Sequence, residues 1–277
     1  MKKILILLSK EKSKNYLMKD KYALVTGASS GIGLEIATLL AERKYNLVLV
    51  SNESEDLFKL KNDIYSKYDV KVEALDINLA RNEAADEIFN YCEENNIDVE
   101  VLVNNAGFFF FGEVAETDLK KAEQKILLHV LTSSLLCTLF AKKMKNTKNG
   151  YILSVSSISA YKAFPGIAFY GSTKAYLKYF TRSLRTEMKP YSVHVSCLCP
   201  GATLTNLYHP TVVNVGKAKK FGIMMSAGKV AQRGVKGLFS DKAIIIPGFS
   251  TRLMLFFTLL MPQFIIVRLW KKLKDRF

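Results

Sequence analysis

The sequence predicts an α/β fold: one domain built on a doubly wound, parallel, seven-stranded sheet with helices on both faces. Three observations predict it. Short runs rich in Val, Ile and Leu recur along most of the chain. They lack strict polar alternation, as expected of strands buried on both faces. Segments of helical spacing separate them, and this alternation implies parallel strands joined by right-handed crossovers.

The strands are expected at "YALVT" (22–26), "NLVLV" (46–50), "KVEAL" (71–75), "VEVLV" (99–103), "YILSV" (151–155), "HVSCL" (194–198) and "AIIIP" (243–247). Helices are expected near 32–43, 54–67, 81–95, 116–145, 168–189 and 227–239. Ligands of such a sheet bind at the carboxyl ends of the strands.

With 277 residues, 49% hydrophobic and 23% charged, the chain can fill one large core, and no Pro/Gly/Ser-rich linker divides it. The expected division is a basic extension (1–20), the α/β domain (21–248) and an apolar, basic extension (249–277). The four cysteines, at 92, 137, 197 and 199, have no metal-ligand spacing. They read as small core residues in a reducing cytoplasm, and no metal site is expected.

The net charge of +15 is localised. Residues 1–21 carry seven Lys/Arg against two acids, 217–236 carry six and no acid, and 268–277 add four net positives. The body between 22 and 216 is close to neutral. Scattered basic residues without a recognisable motif do not make a nucleic-acid site. They suit a solvated surface or an anionic partner such as membrane lipid or an acidic carrier. The opening "MKKILILLSK" has too short an apolar run for a signal peptide. The late run Leu253 to Val267 is interrupted by Pro262 and Gln263 and falls short of the roughly 18–20 residues that span a bilayer. Two readings stay open for 253–272: peripheral membrane contact with Arg268, Lys271 and Lys272 at the headgroups, or packing on the domain as a lid or dimer surface.

The strand ends carry the chemistry. "VTGASSGIGLEIA" sets Gly27, Gly31 and Gly33 between a strand and a helix, where backbone N–H groups can meet a pyrophosphate. At the second strand end, Ser51-Asn52 offers no acid for a ribose 2′-hydroxyl, which favours NADP(H) over NAD(H). Asp76 ends the third strand, and "NNAG" (104–107) the fourth. The fifth ends in "SVSS", with Ser157 thirteen residues before Tyr170. Tyr170 and Lys174 are four apart and share a helix face. A lysine cation favours the tyrosinate, so Tyr170 can exchange a proton with a carbonyl oxygen as hydride moves, while Ser157 hydrogen-bonds that oxygen. The sixth strand ends in "CPGATLT", where Pro200 and Gly201 force a turn.

Together "TGASSGIG", "NNAG", "SVSS", "YGSTK" and "PGATLT" resemble the short-chain dehydrogenase/reductase family, in order and spacing, over about residues 20–248. The late "IIIPG" and the apolar tail look like a bacterial branch whose members resemble ketoacyl and hydroxysteroid reductases. The resemblance implies a Rossmann-fold, nicotinamide-dependent oxidoreductase interconverting a carbonyl and a secondary alcohol. It implies Ser157 to position substrate, Tyr170 as acid/base, and Lys174 to hold the nicotinamide ribose. It places Gly27, Ser29, Ser30, Gly31, Ile32, Gly33 and Asn52 at the cofactor, with Asp76 at adenine. Asn104, Ala106, Gly107, Pro200, Gly201, Thr203 and Thr205 would line the rest. A homodimer or homotetramer paired through 116–145 and 168–189 is implied as well.

The chain departs from the family at His129, where an asparagine normally holds a proton-relay water. The expectation is that His129 takes over that relay. Phe108–Phe111 are expected to divide between the site's mouth and the core. Tyr208, His209, Met224 and Met225 fall in the family's substrate-loop region. An apolar mouth with a basic rim suits a lipid-like or acyl substrate. The competing reading is a nucleotide-binding sensor or scaffold with little turnover.

Overall fold

A computed structural model describes residues 21–205 and 224–273. The N-terminal extension, Tyr208, His209 and residues 217–223 of the basic segment lie outside the described residues.

The strands β1 (Lys21–Thr26), β2 (Asn46–Ser51), β3 (Val72–Asp76), β4 (Asp98–Asn104), β5 (Gly150–Val155) and β6 (Val193–Leu198) fall within about a residue of their expected places. Two short strands, β7 (Thr203–Leu204) and β8 (Met225–Ser226), pair apart from the main sheet, and β9 (Ile244–Ile245) closes its edge. The main sheet has seven strands in the order β3-β2-β1-β4-β5-β6-β9, all parallel. The order in which strands are added reverses between β1 and β4, the switch point where such sheets open a ligand crevice.

Successive strand residues feed two cores, which explains the missing polar alternation. Ala23, Val25, Val101 and Val103 pack beneath α1 (Gly31–Glu42), α2 (Ser54–Lys67) and α7 (Ala227–Phe239). Leu24, Val99 and Leu102 face the other way. There they meet α3 (Ala84–Glu94), α5 (Ser133–Thr147) and α6 (Ala168–Met188). Each fully buried Leu or Val contributes about 1.5–3 kcal/mol of transfer free energy.

The helix expected over 116–145 is interrupted. α4 (Leu119–Ile126) begins at Asp118, whose side chain accepts the Lys121 N–H. It then widens into one π-helical turn, Leu127–Thr132, before α5 continues. The Ser133 hydroxyl donates to the Leu128 carbonyl within this turn. By length and composition alone Leu119–Thr147 could cross a membrane, but Leu136, Phe140 and Met144 bury its inner face in the sheet core.

β9 is shorter than the expected 243–247. Pro247 has no N–H to donate, and Gly248 turns the chain with φ +88°. The C-terminal segment forms α8 (Phe249–Leu260) and α9 (Gln263–Leu273). Pro262 divides them, because the residue before a proline is pushed to extended backbone, here Met261 at φ −67°, ψ 122°. The pair docks on the domain: the Lys162 ammonium donates to the Met261 carbonyl at 2.9 Å, and Phe111 and Trp270 rings meet at 5.5 Å.

Candidate active site

The ends of β1, β4, β5 and β6 surround a cleft of about 740 Å³. Its floor is the glycine turn. Thr26 locks that turn to the loop after β4: its hydroxyl donates to Val103 O and accepts the N–H groups of Asn105 and Ala106 at 3.0 and 3.1 Å. The Asn105 amide donates to both Thr26 O and Gly27 O at 3.0 Å. Gly27 has φ +62°, and a Cβ there would lie 2.8 Å from Ala106 Cα. A Cβ at Gly33 would lie 2.0 Å from Gly27 O, so only glycine lets α1 start so close to the turn. The first turn of α1 carries no acid and no side-chain cap bond. Its N–H groups therefore face the cleft ready for an anion, and a dinucleotide fits this floor.

Gly27, Ser29, Ser30, Gly31, Ile32, Asn52, Ala106 and Gly107 all line the cleft, as do Ser157, Tyr170, Lys174, Pro200, Gly201, Thr203 and Thr205. Four residues named from the sequence do not. Gly33 is spent on packing. Asn104 points into the core, donating to Ser133 O at 3.0 Å and Cys137 Sγ at 3.1 Å, and its neighbour Asn105 lines the cleft instead. The Asp76 carboxylate accepts from the Ser54 hydroxyl, and Ile77 and Asn78 form the wall beside it.

His129 is the fourth, and its arrangement differs from the relay expectation. Nε2 accepts the Phe108 N–H at 3.2 Å, so the proton sits on Nδ1, which is 3.0 Å from the Thr173 hydroxyl. Thr173 in turn donates to Tyr170 O at 3.0 Å. Burial, with the Lys174 and Lys125 cations, holds the imidazole well below its usual range and neutral. Both ring nitrogens are therefore engaged by protein, tying the "NNAG" loop to α6.

Ser157 Oγ accepts the Ser159 N–H at 3.1 Å, which leaves its own proton to donate. Lys174 is buried; its ammonium donates to Val155 O at 2.9 Å and lies 5.8 Å from the Tyr170 ring centre. Burial lowers its ionisation from 10.5 to about 8. The Ser156 hydroxyl donates to Lys174 O at 2.7 Å and fixes this turn of α6 to the end of β5. Phe109 packs edge-on to Tyr170 at 5.0 Å. Phe108, Phe109 and Phe110 reach the cleft, while Phe111 turns to Trp270.

Two residues in and around the site carry no motif signal. Glu53 lines the cleft beside Asn52, and its carboxylate accepts from the Ser29 hydroxyl at 2.5 Å. Lys125 is fully buried behind the Phe108–Phe110 rings. A carboxylate one residue beyond the expected position, and a lysine at a core position of a helix, are visible only once the chain is folded. The cysteines are free and buried. Among the described residues no cluster of metal-ligating side chains occurs.

The family model for short chain dehydrogenases matches residues 21–214. A very-long-chain 3-oxoacyl-CoA reductase of the fungus Phaeosphaeria nodorum is 34% identical over 186 residues, 65% of this chain and 54% of that protein. The chain thus spans about half the length of that curated relative. A short-chain dehydrogenase from Sphingobium yanoikuyae, solved in complex with NADPH, is 26% identical with a TM-score of 0.74, over 83% of this chain and 88% of that one. A 7beta-hydroxysteroid dehydrogenase shares the fold with a TM-score of 0.82 at 20% identity, over 91% of this chain and 96% of its own. The glycine turn, the serine, tyrosine and lysine of one cleft, and the matched family model agree: the chain belongs to the short chain dehydrogenase family.

Proposed function

We propose that this protein is an NAD(P)H-dependent reductase that interconverts a carbonyl and a secondary alcohol, with an acyl or other lipid-like ketone as substrate. The observation that carries the reading is that Ser157, Tyr170 and Lys174 line one cleft with the glycine turn. When bound, the nicotinamide supplies or accepts the hydride. Gly27, Gly31 and the first turn of α1 would hold the pyrophosphate, and Lys174 the nicotinamide ribose. Ser157 donates a hydrogen bond to the substrate oxygen. Tyr170 gives that oxygen a proton in reduction and takes one in oxidation. His129 and Thr173 hold the loop and helix that frame Tyr170. Phe108, Phe109 and Phe110 give the substrate end an apolar wall. The acyl preference is supported by that wall and by the fungal 3-oxoacyl-CoA reductase relative.

NADP(H) is favoured over NAD(H) by the absence of an acid at Ser51-Asn52 and by the NADPH bound to the Sphingobium relative. Glu53 opposes a 2′-phosphate in the same wall and sets the limit of that preference. A second surface supports membrane docking. α8 and α9 expose Phe249, Phe256, Phe257, Leu260 and Phe264 beside Arg252, Arg268 and Lys271, with no acid between 242 and 274. That is an apolar face with a cationic rim, fitted to an anionic lipid surface. Subunit pairing is proposed through α4 and α6, where Leu119, Ile126, Tyr176 and Tyr179 are exposed.

Turnover of a panel of ketones and alcohols, run separately with NADPH and NADH, tests the reductase reading. Wild type is expected to reduce acyl ketones, and Tyr170→Phe to lose about 10²–10⁴-fold in kcat while still binding cofactor. Cofactor binding with no hydride transfer to any carbonyl would overturn it.

A further inference from the structure

Lys125 is among the largest fully buried side chains, and its ammonium has no hydrogen-bond partner. Aromatic rings enclose it. Nζ lies 3.9 Å from the centre of Phe110, 4.7 Å from Phe108, 5.9 Å from Phe109 and 5.3 Å from Tyr170. Ring faces return part of the cost of burying a cation, but less than water would. A methionine would fill the same space without that cost. A lysine that fills a core position at such expense, beside a phenol assigned to proton transfer, points to a charge with a use.

We propose that Lys125 is a second cationic centre of the active site, set against the Tyr170 ring alongside Lys174, whose charge makes the Tyr170 phenol more acidic. It acts through Tyr170 and touches neither substrate nor cofactor, so it is a positioning residue. The inference rests on the reading of Tyr170 as the acid/base.

Among the described residues, groups on three elements face Lys125. α6 presents Tyr170 and Lys174, the π turn presents neutral His129, and the loop after β4 presents only phenylalanine rings. Burial, then the Lys174 charge, lowers the Lys125 ionisation from 10.5 to about 7. Its charge therefore changes in the range where an enzyme works. An ammonium 5.3 Å from the Tyr170 ring would favour the tyrosinate, and a tyrosinate would in turn hold the proton on Lys125. Lys174 alone would leave the phenol with one cation rather than two.

The test is a spectrophotometric titration of tyrosinate, taken as wild type minus Tyr170→Phe, and repeated on the Lys125→Met background. It needs neither cofactor nor substrate. The Tyr170 midpoint is expected to rise by about one pH unit in Lys125→Met, with a return toward wild type in Lys125→Arg. In alcohol oxidation the same shift appears as about tenfold lower kcat/KM near neutrality, recovered at high pH. Circular dichroism and NADPH binding report whether the variant is folded. An unchanged midpoint in folded Lys125→Met overturns the proposal, and so does a loss of activity equal at every pH. Should Lys125→Met fail to fold, carbon-13 NMR of lysine in wild type decides, with the Lys125 signal identified by its loss in Lys125→Arg. The coupling is reciprocal, so the Lys125 signal is expected to titrate at lower pH in Tyr170→Phe than in wild type; the same midpoint in both overturns the proposal. A shifted Tyr170 midpoint in a protein that reduces no ketone counts against the reductase reading and not against this one.

Discussion

Two buried lysines, one phenol and one carboxylate decide the chemistry at the scale of residues. Lys125 and Lys174 ionise at about 7 and about 8 in the folded protein, against 10.5 as the ordinary value. The unfolded chain therefore binds these protons more tightly. The cost of each ammonium is complete below its folded value and disappears as pH rises toward the ordinary one. The buried thiols of Cys92 and Cys137, raised from 9.0 to about 12, work the other way and lose their contribution above the ordinary thiol value. Thermal unfolding is accordingly expected to move to higher temperature between pH about 7 and about 8.5. Lys125→Met should flatten the lower part of that rise in a pH series of melts. At the other end of the cleft, Glu53→Gln removes a negative charge from the wall beside Asn52. The ratio of kcat/KM with NADPH to that with NADH is expected to rise about tenfold, the factor that about 1.4 kcal/mol yields. An unchanged ratio would show that Glu53 does not meet the 2′ position.

The regular elements were legible in the sequence, and their junctions were not. A strand buried on both faces announces itself locally, because runs such as 23–25 in β1, 47–50 in β2, 101–103 in β4 and 151–153 in β5 are apolar without alternation. The helices α1, α2, α6 and α7 follow from spacing and lie within about a residue of expectation. The π turn has no such signature: Leu127–Thr132 is as apolar as an ordinary helix turn, and its widening is a matter of which carbonyl each N–H reaches. The motif residues Ser157, Tyr170 and Lys174 were legible because the chemistry needs their types at fixed spacing. His129 was legible as a departure, but not its partners, since Phe108 and Thr173 come from two other elements. The family resemblance places Asn104 at the cofactor. The pleat sends its amide to Ser133 and Cys137 and gives the cleft to Asn105. Glu53 and Lys125 are ordinary charged residues in the sequence, and only the fold puts Glu53 in the cleft wall and buries Lys125 behind the phenylalanine rings.

The whole molecule joins a cofactor cleft to an apolar helical pair through the loops at the cleft's rim. Phe111 follows the "NNAG" loop and meets Trp270, and Lys162 and the Ala163 carbonyl hold the turn between α8 and α9. Docking on anionic vesicles through this pair is expected to weaken strongly in Phe256→Glu/Phe257→Glu, measured by co-flotation. Both positions are exposed, so folding should be unaffected. Equal flotation of variant and wild type would remove the membrane role. The same contact has an optical consequence. Trp270 is the sole tryptophan of the chain. Its emission therefore comes from one place, the joint between the C-terminal helices and the rim of the cleft. The protein carries a built-in fluorophore there, and quenching or a spectral shift on adding vesicles, nucleotide or ketone would report on that joint without any label.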